Sequence, residues 1–110
     1  MEIKQETGSY NGRRYSRPWI AKVTSWTGVK PTLKWGNFIS NAEDGGIMVI
    51  DAEVGDIIRY GQKDNRGNGT ENSWAIVEPN GSLRRVTPAE AYQSPERAAI
   101  ASRTILKTDE

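Results

Sequence analysis

Between two apolar runs the chain carries Arg59-Tyr60-Gly61-Gln62-Lys63-Asp64-Asn65-Arg66-Gly67-Asn68-Gly69-Thr70-Glu71-Asn72-Ser73-Trp74, a polar segment studded with glycines and amide side chains. Glycine and asparagine let consecutive backbone N–H groups turn towards one point, and Lys63 and Arg66 add cations to that concavity. Such a combination suits a phosphate or another anion. The expected contacts are Lys63 and Arg66 with phosphate, the backbone from Asn65 through Gly67 to Gly69 beneath it, and Asn68, Thr70 or Gln62 with sugar or base edges. The plain alternative is an ordinary long hairpin loop. Loops of this length without secondary structure are uncommon in compact domains unless they bind something or are disordered. The segment matches neither a phosphate-loop ATPase motif nor a dinucleotide fingerprint.

Aromatic residues are the second source of chemistry. Trp19, Trp26, Trp35 and Trp74 all fall in or at the ends of strand-like runs. A domain this small does not easily bury four indoles, and alternation puts Trp26 on the opposite face from Trp19. Trp26 is therefore the candidate for stacking a base, a contact worth about 1–3 kcal/mol. Core packing and a protein interface are the alternatives. Arg13, Arg14 and Arg17, interleaved with Tyr10 and Tyr15, form a third candidate suited to RNA, single-stranded DNA or a phosphorylated ligand. A solubilising arm would have the same composition.

The composition excludes more than it selects. Cysteine and histidine are both absent from the 110 residues, which removes disulfides, Cys/His zinc sites, serine–histidine triads and cysteine nucleophiles. Carboxylate, Lys, Ser/Thr or Tyr chemistry remains. Glu43, Asp44, Asp51, Glu53 and Asp56 follow no calcium-loop spacing, so neither a metal site nor a cofactor is expected. Net charge is +1, too little for a strong general attraction to nucleic acid or to an acidic membrane. No apolar run approaches the roughly 18 residues of a membrane span, and Met1 to Glu6 lacks a signal-peptide core. No membrane association and a cytoplasmic, reducing location are the expectations.

The elements that must position these residues are mostly strands. Trp19, Ala21 and Val23 alternate with Ile20, Lys22 and Thr24, and Leu33 and Trp35 share one face of the next strand. Ile47-Met48-Val49-Ile50 is apolar on both faces and reads as an interior strand. Ile57 to Tyr60 and Trp74 to Glu78 flank the polar segment, and Pro79-Asn80-Gly81 turns the latter into a hairpin with Ser82 to Val86. Thr87-Pro88-Ala89-Glu90 is a capped helix start, and Ser94-Pro95-Glu96 repeats it. A short turn near Tyr92 and a longer helix from Pro95 to Leu106 follow, with Ala98, Ala101 and Ile105 on its apolar face. The expected fold is mainly β with an α+β character: a small β-barrel or strongly bent antiparallel sheet of about six strands with a short C-terminal helical appendage. Its parts are a polar basic arm over residues 1–17, a β domain over 18–86 and a helical segment over 87–110.

The run from Gly55 to Glu71, followed by Trp74-Ala75-Ile76-Val77, resembles a pattern in small proteins of bacteriophage and prophage genomes. The resemblance carries no catalytic residue. It implies an inhibitor of a host nuclease, a virion component, or a sponge that sequesters the cyclic nucleotides of antiviral signalling. Such sponges bind without catalysis, usually as homo-oligomers with ligands at subunit junctions.

These features favour a non-enzymatic, phage-type binding protein that sequesters a small phosphorylated nucleotide signal of host antiviral defence and works as a homo-oligomer. One alternative is an inhibitor that docks its basic arm and exposed tryptophans on a host defence protein or nucleic acid. Another is a virion or assembly component. Were there turnover, a carboxylate-based phosphodiesterase using Asp64 or Glu71 would be the first expectation.

Overall fold

A computed structural model of the chain describes residues 1–7, 16–42, 45–64 and 69–108. Eight strands are followed by two helices: β1 (Glu2–Thr7), β2 (Ser16–Ser25), β3 (Thr32–Trp35), β4 (Asn37–Ala42), β5 (Gly45–Asp51), β6 (Ile57–Asp64), β7 (Gly69–Val77), β8 (Leu83–Val86), α1 (Pro88–Tyr92) and α2 (Pro95–Thr108). The strands form two antiparallel sheets, ordered β1-β5-β4 and β3-β2-β6-β7-β8. The mainly β fold with a helical C-terminus is as the sequence predicts, but the sheets do not close into a barrel.

The five-stranded sheet is the middle of three layers. One of its faces supplies Ile20, Ile58 and Val77, which bury against Ile3, Ile50 and Ala52 of the smaller sheet and the segment leaving it. The other face supplies Val23, Ile57 and Ile76, which bury against Trp26 and against Ala91 and Ile100 of the helices. Ile57 and Ile58 are adjacent, point to opposite faces, and are both fully buried. Each such side chain contributes roughly 2–3 kcal/mol of apolar burial. As expected, β5 is the interior strand of its sheet, with Val49 and Ile50 both buried.

Two strands exceed the six that periodicity reveals. Within β1 the one apolar side chain between Met1 and Thr7 is Ile3, which is buried opposite Ile50. The first residues of the basic arm are thus part of a sheet. In β4 the register with β5 shifts between Phe38 and Ser40, and such an irregularity breaks the alternation on which recognition depends.

Local chemistry fixes the turns. Gly55 and Gly81 have φ of 89° and 87°, a region that suits glycine. Asp56 Oδ2 accepts the Glu53 N–H at 2.8 Å, and Asn80 Oδ1 accepts the Ser82 N–H at 3.0 Å. At α1 the predicted capping box forms: Thr87 Oγ1 accepts from Glu90 N–H at 3.1 Å, and Glu90 Oε1 accepts from Thr87 N–H at 3.0 Å. The buried face of α2 differs from the expected one in part, and the Ile105 side chain lies outside the described residues. Ile100 is buried, Ala101 is half-buried and Ala98 is exposed, because the helix turns its Ile100 stripe onto Val23 and Trp26.

The two sheets meet at Gly36, between β3 and β4. Its N–H donates to Ile20 O at 2.8 Å. A Cβ there would meet the Val49 carbonyl and sit 2.9 Å from Ile20 Cγ2. Only a residue without a side chain lets the backbone pass so close to both layers.

Candidate functional site

Among the described residues, the face of the five-stranded sheet that carries the helices is covered over only part of its length. Its rows can be read from the strand register, since residues directly opposite in an antiparallel ladder point the same way. One row crosses all five strands: Trp35, Ala21, Arg59, Trp74 and Val86. The next, away from the helices, is Trp19, Gly61 and Asn72. Beyond it the backbone of Arg17 lies opposite Lys63, which lies opposite Gly69. The described residues of these three rows include no carboxylate.

Small residues alternate with large ones along these rows. Ala21, between Trp35 and Arg59, is fully buried, and Gly61, between Trp19 and Asn72, is buried as well. Across Ala21 the two long side chains turn apart: Trp35 meets Trp19, and Arg59 lies over Trp74. Trp19 and Trp35 meet edge to face with centroids 5.7 Å apart. Trp35 is 55% exposed on the edge strand β3.

The second half of the surface is a cation–aromatic column. The Arg59 guanidinium lies 4.0 Å from the Trp74 ring centre, and its Nη2 donates to Asn72 Oδ1. Trp74 stacks on Trp26 at 5.3 Å and 27°. Trp26 meets Tyr92 edge to face at 5.7 Å, and Arg97 closes the column 4.3 Å from Tyr92 while donating to Gly28 O at 3.2 Å. Arg59 Nε is buried and has no hydrogen-bond partner among the described residues. Burial lowers the pKa of this guanidinium, which stays charged at any physiological pH. A half-buried, incompletely satisfied cation sharing a sheet face with an exposed indole can take an anion or the face of a planar ring.

The expected site residues fare differently. Trp26 does not offer a stacking face: it is 2% exposed and held between Trp74 and α1. The reason is a register shift between Val23 and Ser25, which returns Trp26 to the side of Val23 instead of leaving it opposite. Lys63 lies in β6, one residue before its end, and Thr70 lies in β7, so most of the polar segment is paired strand rather than loop. Asn65, Arg66, Gly67 and Asn68 lie outside the described residues, as do Arg13 and Arg14. Among the expected residues the register therefore brings only Lys63 to the rows of this surface. Sequence reasoning missed Arg59, Asn72, Trp19 and Trp35 as a set. The available signal was Arg59 itself, a cation inside the apolar run Ile57-Ile58-Arg59-Tyr60.

A separate cavity of about 320 Å³ lies between the β5–β6 turn and α2, lined among others by Glu53, Asp56, Glu96, Ile100 and Arg103. Its three carboxylates oppose a phosphate ligand. Among the described residues no cluster of carboxylates is arranged to hold a metal ion, and no helix is long and apolar enough to cross a membrane. Comparison with family models, with curated proteins and with solved structures finds no match to this chain.

Proposed function

We propose that the protein is a non-enzymatic nucleotide-binding protein whose site is the uncovered part of the five-stranded sheet. Bases stack on the Trp19–Trp35 pair and on the Arg59 guanidinium, and phosphate is neutralised by Arg59 and the cationic positions Arg17 and Lys63. The observation that carries this reading is the row Trp35–Ala21–Arg59–Trp74, in which an exposed indole and a stacked arginine share one sheet face. Stacking of bases on exposed aromatics, supported by nearby cations, is a general means of binding unpaired nucleotides. The absence of histidine and cysteine supports binding over turnover.

Sequestration of an antiviral nucleotide signal, the role that the phage resemblance implies, is the small-ligand form of this reading. Titration with mononucleotides, cyclic dinucleotides, ADP-ribose and short oligonucleotides, followed by intrinsic tryptophan fluorescence, tests it. Quenching by at least one of these is expected. An unchanged spectrum and an unchanged melting temperature across the whole panel would remove the proposal.

A further inference from the structure

The shape of the uncovered face bears on what kind of nucleotide it takes. Small-molecule sites are concave and enclose most of their ligand. Among the described residues this surface is open: Trp35 stands exposed on β3, the edge strand, so a ligand resting there can continue past the sheet. A lone mononucleotide would be covered on one side of its base only.

The surface also holds two stacking elements instead of one. Trp35 on β3 and Arg59 on β6 are separated by β2, two strand spacings or about 10 Å. One base cannot rest on both. The Arg17–Lys63 pair lies two rows beyond the Ala21–Arg59 pair along the same strands, roughly 13–14 Å away. The three rows thus place two ring systems, the Arg59 guanidinium and the backbone positions of two further cationic residues over an area wider than a single nucleotide, with no described carboxylate among them. Asn72, the one exposed amide described on these rows, accepts from Arg59 through its Oδ1, which leaves its NH2 as one of few groups for reading base edges.

We infer that the occupant of this face is a single-stranded nucleic acid, bound through successive bases with little sequence preference. The inference rests on the nucleotide-binding reading above. Trp35 and Trp19 take one base, Arg59 takes the next, and the backbone phosphates lie against Arg59 and the Arg17 and Lys63 positions.

The test uses the full chain and labelled oligothymidylate and oligouridylate of di-, tetra- and octanucleotide length, with binding read by anisotropy at several salt concentrations. Affinity is expected to climb from dinucleotide to octanucleotide and to exceed that of mononucleotides and cyclic dinucleotides by at least about tenfold, since each stacked base adds its own contribution. The plot of log affinity against log salt is expected to have a slope of about −2, from three cations at about −0.7 each for a single strand. Trp35→Ala should weaken the octanucleotide by about tenfold or more while lowering the urea midpoint only slightly, through the lost edge-to-face contact with Trp19. Arg59→Lys should also weaken it, with a smaller change in salt slope than Lys63→Gln produces. Cyclic dinucleotides or mononucleotides binding as tightly as the octanucleotide would overturn the inference while leaving the nucleotide-binding reading standing. No binding by any of them would remove both. Loss of self-association in Trp35→Ala, together with no oligonucleotide binding, would reassign the face to a protein interface.

Discussion

The Arg59 guanidinium lies 4.0 Å from the centre of the Trp74 ring, directly opposite it across the β6–β7 ladder. A planar cation lies flat on an indole in a way that an ammonium does not. Arg59→Lys should therefore lower the unfolding free energy by about 0.5–1 kcal/mol, measured by urea denaturation, and shift the Trp74 contribution to the fluorescence spectrum. An unchanged midpoint would show that the column is not part of the stability of the domain.

Gly36→Ala should be strongly damaging for so small a change. The added Cβ would press on the Val49 carbonyl and on Ile20 Cγ2, and neither a backbone group nor a fully buried Ile20 can withdraw cheaply. A loss of roughly 1–3 kcal/mol is expected, whereas Gly28→Ala, where the added atom meets nothing within 4 Å, should be near neutral.

Ile100 is the fully buried residue through which α2 grips the sheet. Ile100→Ala should destabilise the fold by about 2–4 kcal/mol and reduce the helical circular dichroism before the β signal. Ala98→Glu, on the exposed side of the same helix, should change stability by less than about 0.5 kcal/mol. The reverse ranking would restore Ala98 to the packing face.

Acid sensitivity should be traceable to the first helix. Hydrogen bonds from the Thr87 backbone and side chain hold the Glu90 carboxyl below its ordinary value of 4.5. A carboxylate whose folded pKa is depressed adds stability that is fully present above the ordinary value and is lost as pH falls through the folded one. Glu90→Gln should flatten the decline of the urea midpoint between about pH 5 and pH 3, and Thr87→Ala, which keeps the backbone N–H that holds the carboxylate, should flatten it only in part. A slope identical to that of the parent chain would rule out this contribution.

Much of the architecture was legible because burial and alternation coincide. Trp19, Ala21 and Val23 mark β2, Pro79-Asn80-Gly81 marks the β7–β8 hairpin, and Thr87 with Glu90 marks α1. Glu2–Thr7 escaped because its single inward side chain, Ile3, gives no period. The extensions of β6 and β7 escaped for a related reason: Gln62 and Asn72 keep the ladder while reaching past the apolar core, so paired strand resembled loop. The candidate surface was least visible of all. Trp35, Arg59 and Trp74 are far apart in sequence and become neighbours only through strand order, and the register shift after Val23 moves Trp26 from a presumed ligand platform into the interior.

The passage of the backbone through Gly36 bears on how the molecule comes apart. Because β3 belongs to one sheet and β4 to the other, and the residue joining them is bonded to Ile20 and seated against Val49, neither sheet can separate without dragging the other's edge. Heat should dissolve both in one cooperative event, with calorimetric and van't Hoff enthalpies in agreement.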